Sequence, residues 1–195
     1  MSKKGLVKMI AGCLAVVMTA ATVMAAPSPT KNGAVSQDFT FTINGEKADP
    51  SNYKAEFKTD LEDLGLDKAV LDTIKDINKD PEKVKDILTD SITLVAEDDD
   101  IDVSKLEMLT QIQDLSIVDA KSGDIVKDAK DVTMTWEVTN LKEGIGEVRV
   151  LHYSTTRNVW EVLKPEKVDF QQKAITQEFE DLSPVAVVYV PADAK

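Results

Sequence analysis

Apolar residues fall into three patterns along this chain of 195 residues. They run almost unbroken from Met9 to Met24, recur every three or four positions from Leu66 to Leu88, and alternate with polar residues beyond Ser91. Phe39, Phe41 and Ile43 alternate with Thr40 and Thr42, which predicts a half-buried strand, and Asn44-Gly45 after it signals a tight turn. Tyr53 to Phe57 predicts the returning strand. Thr59-Asp60-Leu61-Glu62 has the form of a capping box, with Thr59 to cap and Glu62 to reach back. Leu66, Val70, Leu71, Ile74 and Ile77 follow at helical spacing. Asp80-Pro81-Glu82 opens a second helix: Asp80 stands at the cap, Pro81 sits where a missing N–H costs little, and Glu82 favours the positive helix end. Val84, Ile87 and Leu88 supply its apolar face. Residues 59–90 thus predict a helical pair.

Beyond Ser91 the period is two. Ile92 and Leu94 predict one strand; Ile112 to Val118 predicts another, ending at the Ser122-Gly123 turn. Val132, Met134, Trp136 and Val138 share one face of a third. Glu147 to Ser154, Val159 to Leu163, Ala174 to Phe179 and Val185 to Val190 follow. Strands at this spacing, parted by turns rather than helices, predict an antiparallel arrangement. The expected fold is mainly β with a helical pair (α+β): an antiparallel β-sandwich, Ig-like in general architecture. Trp136 is in phase with Val132, Met134 and Val138, and Trp160 with Val162, so both belong to the core. Trp136, Tyr153 and Trp160 together could form a platform for a sugar ring; core roles are the preferred reading, and Tyr153, which shares its face with Arg149 and Leu151, is the best candidate for an exposed aromatic in contact with a ligand.

Three stretches carry a likeness to known proteins. They are Asp114-Leu115-Ser116-Ile117-Val118-Asp119 before a glycine turn, Val148-Arg149-Val150-Leu151-His152-Tyr153 leading to Trp160-Glu161, and Leu182-Ser183-Pro184-Val185-Ala186-Val187-Val188. Through them residues 110–190 resemble β-sandwich modules of secreted and surface proteins of Gram-positive bacteria. Related modules often show Phe-Ser-Pro-Phe in the last stretch, so Leu182 and Val185 depart from the usual aromatics. The resemblance implies a fold and an extracellular, accessory role. It implies no reaction and carries no functional residues.

The first apolar run has the form of an export signal. Lys3, Lys4 and Lys8 precede it, and it ends in small residues with a Val23-Met24-Ala25 cleavage site. Its 16 residues are short for a membrane span of about 20. Ile10-Ala11-Gly12-Cys13 spells a lipoprotein box, but only Met9 and Ile10 lie between Lys8 and Ala11, and the apolar stretch continues past Cys13. Lipidation is therefore not expected. The domain plan is a cleaved signal (1–25), a flexible leader rich in Pro, Ser, Gly and Asn (26–37), one folded domain (38–191) and a polar tail (192–195). Secretion to the extracellular side follows, with no membrane span after cleavage.

Cleavage sharpens the charge. The whole chain carries 23 Lys+Arg and 35 Asp+Glu; the signal takes three lysines and no acid, leaving 20 against 35, a net of −15. Such a surface repels nucleic acid, whose phosphates need clustered Lys and Arg, and disfavours anionic membranes. The sole cysteine lies in the signal, so the exported fold has no disulfide and must stand on its core.

The chemistry on offer is sparse. A Ser–His–Asp array would have to use His152, the single histidine, with Ser154 on the same face, and there is no Gly-x-Ser-x-Gly elbow. A structural strand histidine is the preferred reading. Zinc would need two carboxylates beside one histidine, which is uncommon. Calcium has two places to bind. Asp76-Ile77-Asn78-Lys79-Asp80 starts like a calcium loop, but Pro81 replaces the glycine and Ile87 the final carboxylate; helix capping explains it better. Glu97, Asp98, Asp99, Asp100 and Asp102 bring five carboxylates into six positions, against the alternative of a solvated acidic loop. No other cofactor is expected. The reading is a non-enzymatic exported module for envelope, adhesion or protein-partner interaction. The alternatives are a carbohydrate-active or hydrolytic protein using paired carboxylates and a calcium-dependent surface protein.

Overall fold

A computed structural model describes residues 26–33, 41–43, 46–62, 65–91, 101–127 and 129–194. The signal segment 1–25, the strand expected at Ile92 and Leu94, and Glu97 to Asp100 lie outside the described residues. The fold is α+β, with two antiparallel sheets packed face to face and a helical pair on the outer face of the larger one.

The larger sheet joins β3 (Tyr53–Lys58), β5 (Gln113–Asp119), β11 (Pro184–Pro191), β7 (Gly146–Ser154) and β8 (Val159–Leu163) in that order, and the short β4 (Glu107–Met108) also pairs with β11. The smaller sheet has the order β6 (Lys130–Glu137), β10 (Ala174–Asp181), β9 (Lys167–Asp169). β1 (Thr42–Ile43) and β2 (Glu46–Lys47) pair antiparallel across Asn44-Gly45, which lies outside the described residues.

Both faces of the larger sheet are covered, and that explains the run Val185-Ala186-Val187-Val188-Tyr189-Val190, which has no polar alternation. Ala186, Val188 and Val190 pack with Ile74, Ile77, Val84 and Leu88 of the helices. Val185, Val187 and Tyr189 pack with Met134, Trp136 and Phe179 of the smaller sheet. A strand buried on both faces reads as a continuous apolar run. β7 behaves the same way: Leu151 and Tyr153 face the helices, Val148 and Val150 the other sheet. Ile74 and Ile77 are wholly buried, and such side chains each stabilise by about 1.5–3 kcal/mol on area alone.

The helical pair is α1 (Lys68–Lys79) and α2 (Val84–Ser91), joined through a 3-10 turn at Pro81–Lys83. Asp80 N–H donates to the Asp76 carbonyl at 2.9 Å, closing α1, while the Asp80 carbonyl accepts from Lys83 N–H. Pro81 stands in the first turn as expected, but the Asp80 side chain makes no capping bond and that turn is 3-10, with α2 beginning at Val84. The capping box at Thr59 does not operate. β3 runs to Lys58, Asp60 Oδ1 takes the Glu62 N–H at 3.1 Å in a local turn, and Gly65 turns the chain at φ +69° before α1 begins at Lys68. β3 is a second correction: it returns to β5 rather than to β1, in a register from Tyr53 opposite Asp119 to Lys58 opposite Asp114.

The leader is a third correction. Residues 26–33 form an ordered strap. Thr30 bridges Thr110 in parallel, with Thr30 N–H donating to the Leu109 carbonyl and Gln111 N–H to the Thr30 carbonyl. Asn32 is buried: its Oδ1 accepts from the indole Nε1–H of Trp136 at 3.1 Å, and its own N–H donates to Gln113 Oε1. Gly33 N–H donates to the Glu137 carbonyl at 3.0 Å, and a Cβ on Gly33 would stand 2.9 Å from Glu137 Cβ and O. Residues 34–37 of the expected leader lie outside the described residues.

Candidate functional site

The sequence's chemistry gathers where β7, β8 and β10 meet. Alternation along β7 places His152 and Ser154 toward the smaller sheet, and along β8 it places Glu161 there, while Trp160 and Val162 face the helices. On β10, Gln177 and Asp181 lie on the inward face with Ile175 and Phe179. The His152 ring sits 5.4 Å from that of Phe179.

His152 is 2% exposed and bonds on both nitrogens. Nδ1 lies 3.3 Å from Glu161 Oε2. Nε2 lies 2.7 Å from Ser183 Oγ and 3.1 Å from the Asp181 carbonyl. The connectivity Ser183–His152–Glu161 has the outline of a nucleophilic triad, built from a serine 31 residues from the histidine rather than from Ser154. The proton directions run the other way. Ser183 Oγ donates to the Tyr153 carbonyl, which only accepts. The hydroxyl is therefore an acceptor toward the ring, and Nε2 carries a proton. A serine activated by its histidine has to give its proton to Nε2. Ser183 and Glu161 are 2% and 1% exposed, so the array is a buried fastener joining β7, β8 and the β10–β11 turn.

Ser154 belongs to a second fastener. Its Oγ donates to Asp181 Oδ1 at 3.1 Å, while Asp181 Oδ2 accepts from Thr155 N–H at 2.9 Å, from Thr155 Oγ1 at 3.1 Å and from Thr156 N–H at 3.3 Å. One carboxylate thus holds the whole β7–β8 turn, and Asn158 completes that turn at φ +55°. The turn sends Arg157 back over β8, where its Nη2 pairs with Glu161 Oε1 and lies 3.8 Å from Glu180 Oε2.

Above this floor opens a cleft of about 400 Å³, between β8 and the stretch of β10 that β9 leaves uncovered. β9 pairs with β10 only at Ala174–Thr176; from Gln177 onward that edge has no strand partner among the described residues. Asp131, Glu161, Glu166, Glu178, Glu180 and Asp181 line the cleft with Arg157 and Lys164, six carboxylates against two basic groups. Gln177, 6% exposed, also lines it. Its Nε2 donates to the Glu178 carbonyl at 2.6 Å, while its Oε1 is buried without a hydrogen-bond partner. A buried acceptor left unpaired costs about 1–3 kcal/mol.

The residues singled out from sequence fare differently. Tyr153 is a correction: it is 6% exposed, because the helical pair covers its face of β7, and its ring meets Trp160 edge-on at 5.2 Å. Burial and the nearby Asp67 carboxylate push its hydroxyl above the usual tyrosine range. Trp136 and Trp160 are core residues, as their phase predicts. Asp102 caps a 3-10 turn at Val103–Lys105, accepting from the Ser104 hydroxyl at 2.5 Å and from Ser104 N–H at 3.1 Å and pairing with Lys105 at 3.3 Å; the hydroxyl first, then Lys105 and the N–H, lower its carboxyl below the usual range. Its proposed calcium partners Glu97, Asp98, Asp99 and Asp100 lie outside the described residues. Asn78 pins α1 to the sheet, Oδ1 accepting from Ile112 N–H at 2.7 Å and Nδ2 donating to its carbonyl at 2.9 Å. That use leaves the 76–80 stretch as helix rather than cation loop. Among the described residues no three His, Cys, Asp or Glu side chains converge to hold a metal ion, and no helix is long and apolar enough to cross a membrane.

Comparison of the chain with protein-family models, characterised proteins and solved structures returns no match.

Sequence reasoning missed Ser183, Asp181 and Gln177. Ser183 and Asp181 were hidden by distance along the chain. Gln177 carries a local signal: a long amide side chain in phase with Ile175 and Phe179 on an otherwise apolar face.

Proposed function

We propose that this chain is an exported, non-enzymatic binding module that engages an envelope component or a partner protein through the cleft between β8 and β10. The observation that carries the reading is the cleft itself: an open, carboxylate-rich hollow with a buried acceptor, Gln177 Oε1, that the fold leaves unpaired. The signal-like N-terminus and the resemblance to Gram-positive surface modules support an extracellular setting. The hydrolytic alternative would draw its acids from the cleft floor. Glu161 there is held by His152 and Arg157, and Asp181 by the donors of the β7–β8 turn. Acids fixed in this way favour structure over proton transfer.

The test is co-sedimentation of the purified protein with envelope material of the producing organism, at moderate and high salt. The wild type should pellet, and a Glu178→Lys/Glu180→Lys variant, altered only at the exposed rim, should stay in solution while melting normally. Equal pelleting of the two proteins would remove the cleft from the binding surface.

A further inference from the structure

Of the two basic groups that line the cleft, Arg157 is the one paired with the carboxylate at its floor. Arg157 reaches over from the β7–β8 turn and sets its guanidinium against Glu161 Oε1, with Glu180 Oε2 3.8 Å away. Its position on a surface turn leaves the side chain 39% exposed, whereas the carboxylate beneath it is 2% exposed. The anionic half of this pair is fixed by β8 and His152. The cationic half is a long flexible side chain that loses little by returning to water. Gln177 lines the same cleft, and its Oε1 stands without a donor. A planar guanidinium or an ammonium carries several N–H donors, and Arg157 satisfies the carboxylates without reaching this amide oxygen.

We propose that the cleft takes the guanidinium or ammonium group of a ligand, and that Arg157 is an internal occupant which the ligand displaces. The proposal rests on the reading of the cleft as the binding site and names the class of ligand it selects. The incoming cation exchanges with Arg157 at Glu161, sits within reach of Glu180, and supplies the donor that Gln177 Oε1 lacks. Arg157 does two things in the empty protein: it keeps a buried carboxylate compensated, and it screens out cations too weak to displace it. A protein of this net charge attracts cations everywhere, and such a filter separates a specific one from the rest.

The probe is agmatine, a guanidinium joined to an ammonium by a short aliphatic chain, titrated by calorimetry into wild type, Arg157→Ala and Glu180→Gln. A site blocked for most of the time shows an affinity reduced by the fraction of molecules in which it is open. Arg157→Ala should therefore bind agmatine at least about tenfold more tightly than wild type, and Glu180→Gln, a change at an exposed rim position, should bind more weakly than wild type. If Arg157→Ala does not fold, the same ordering is read from Arg157→Gln, whose side chain keeps most of the packing, and from Glu180→Gln alone. Equal affinity of wild type and the Arg157 variants would overturn the displacement. Acetate and glucose are titrated in parallel. Binding of either at the cleft, with none of agmatine, would overturn the cationic class while leaving the cleft as a binding site. Silence from all three probes, together with rim-independent pelleting, would overturn both.

Discussion

Asp114 shows at the level of one residue how a buried polar group marks its surroundings. It sits on β5 next to the β11 junction, 2% exposed, accepting from the Ser116 hydroxyl. Burial raises its carboxyl above the usual range, and the Ser116 bond and the Lys58 charge offset this only in part. The folded protein therefore holds the Asp114 proton more tightly than the unfolded chain does. The resulting stability is present at low pH, below the ordinary carboxylate value of about 3.9, and is lost as pH rises through the raised folded value. Asp114→Asn, which keeps an acceptor for Ser116, should escape this loss. Its stability relative to wild type should climb between about pH 4 and neutrality, read from urea midpoints across that range. A difference that stays constant with pH would show that the buried carboxyl does not titrate there.

The strap at residues 26–33 belongs to the scale of the element, and it shows where the sequence stops being legible. Elements marked by a local pattern could be read from it: the phase of β6, Pro81 in the turn before α2, and the strands β7 and β8. The strap could not, because its composition is that of a linker and its partners, Trp136 and Glu137, lie more than 100 residues away. Alternation likewise predicts which residues of β7 share a face. It does not say what covers that face, and Tyr153 is buried because α1 and α2 pack there. The helix start at Lys68 was masked by a capping-box pattern in which Thr59 is still leaving β3. Asn32→Leu tests the strap. It removes the acceptor of the Trp136 indole N–H inside the core, which should cost about 1–3 kcal/mol, measured by chemical denaturation. The fluorescence of Trp136 should shift toward that of a wetter indole as the strap lifts. A loss below about 0.5 kcal/mol with unchanged fluorescence would mean that the strap is an accessory of the fold rather than part of its core.

For the whole molecule, the three layers account for the placement of the cleft. Covering the larger sheet on both faces commits β7 and β11 to the core, which leaves β8 and the tail of β10 as the seam at which the layers part. The fasteners at His152 and Asp181 hold that seam rigid from below, and the carboxylates stand above them. The carboxylates that line the seam outnumber its basic groups, and in the proposed reading that excess draws a cation. The most direct measurement is a nitrogen-15 NMR titration of the purified protein with agmatine, because the chain's single histidine and the Gln177 side-chain amide give separate reporters at the floor of the cleft. The account predicts saturable shifts of the His152 ring and Gln177 amide signals, together with the Arg157 side chain and the Glu178–Asp181 backbone, while the helical face stays still. Shifts spread evenly over the acidic surface, growing without saturation and leaving His152 and Gln177 unmoved, would contradict it.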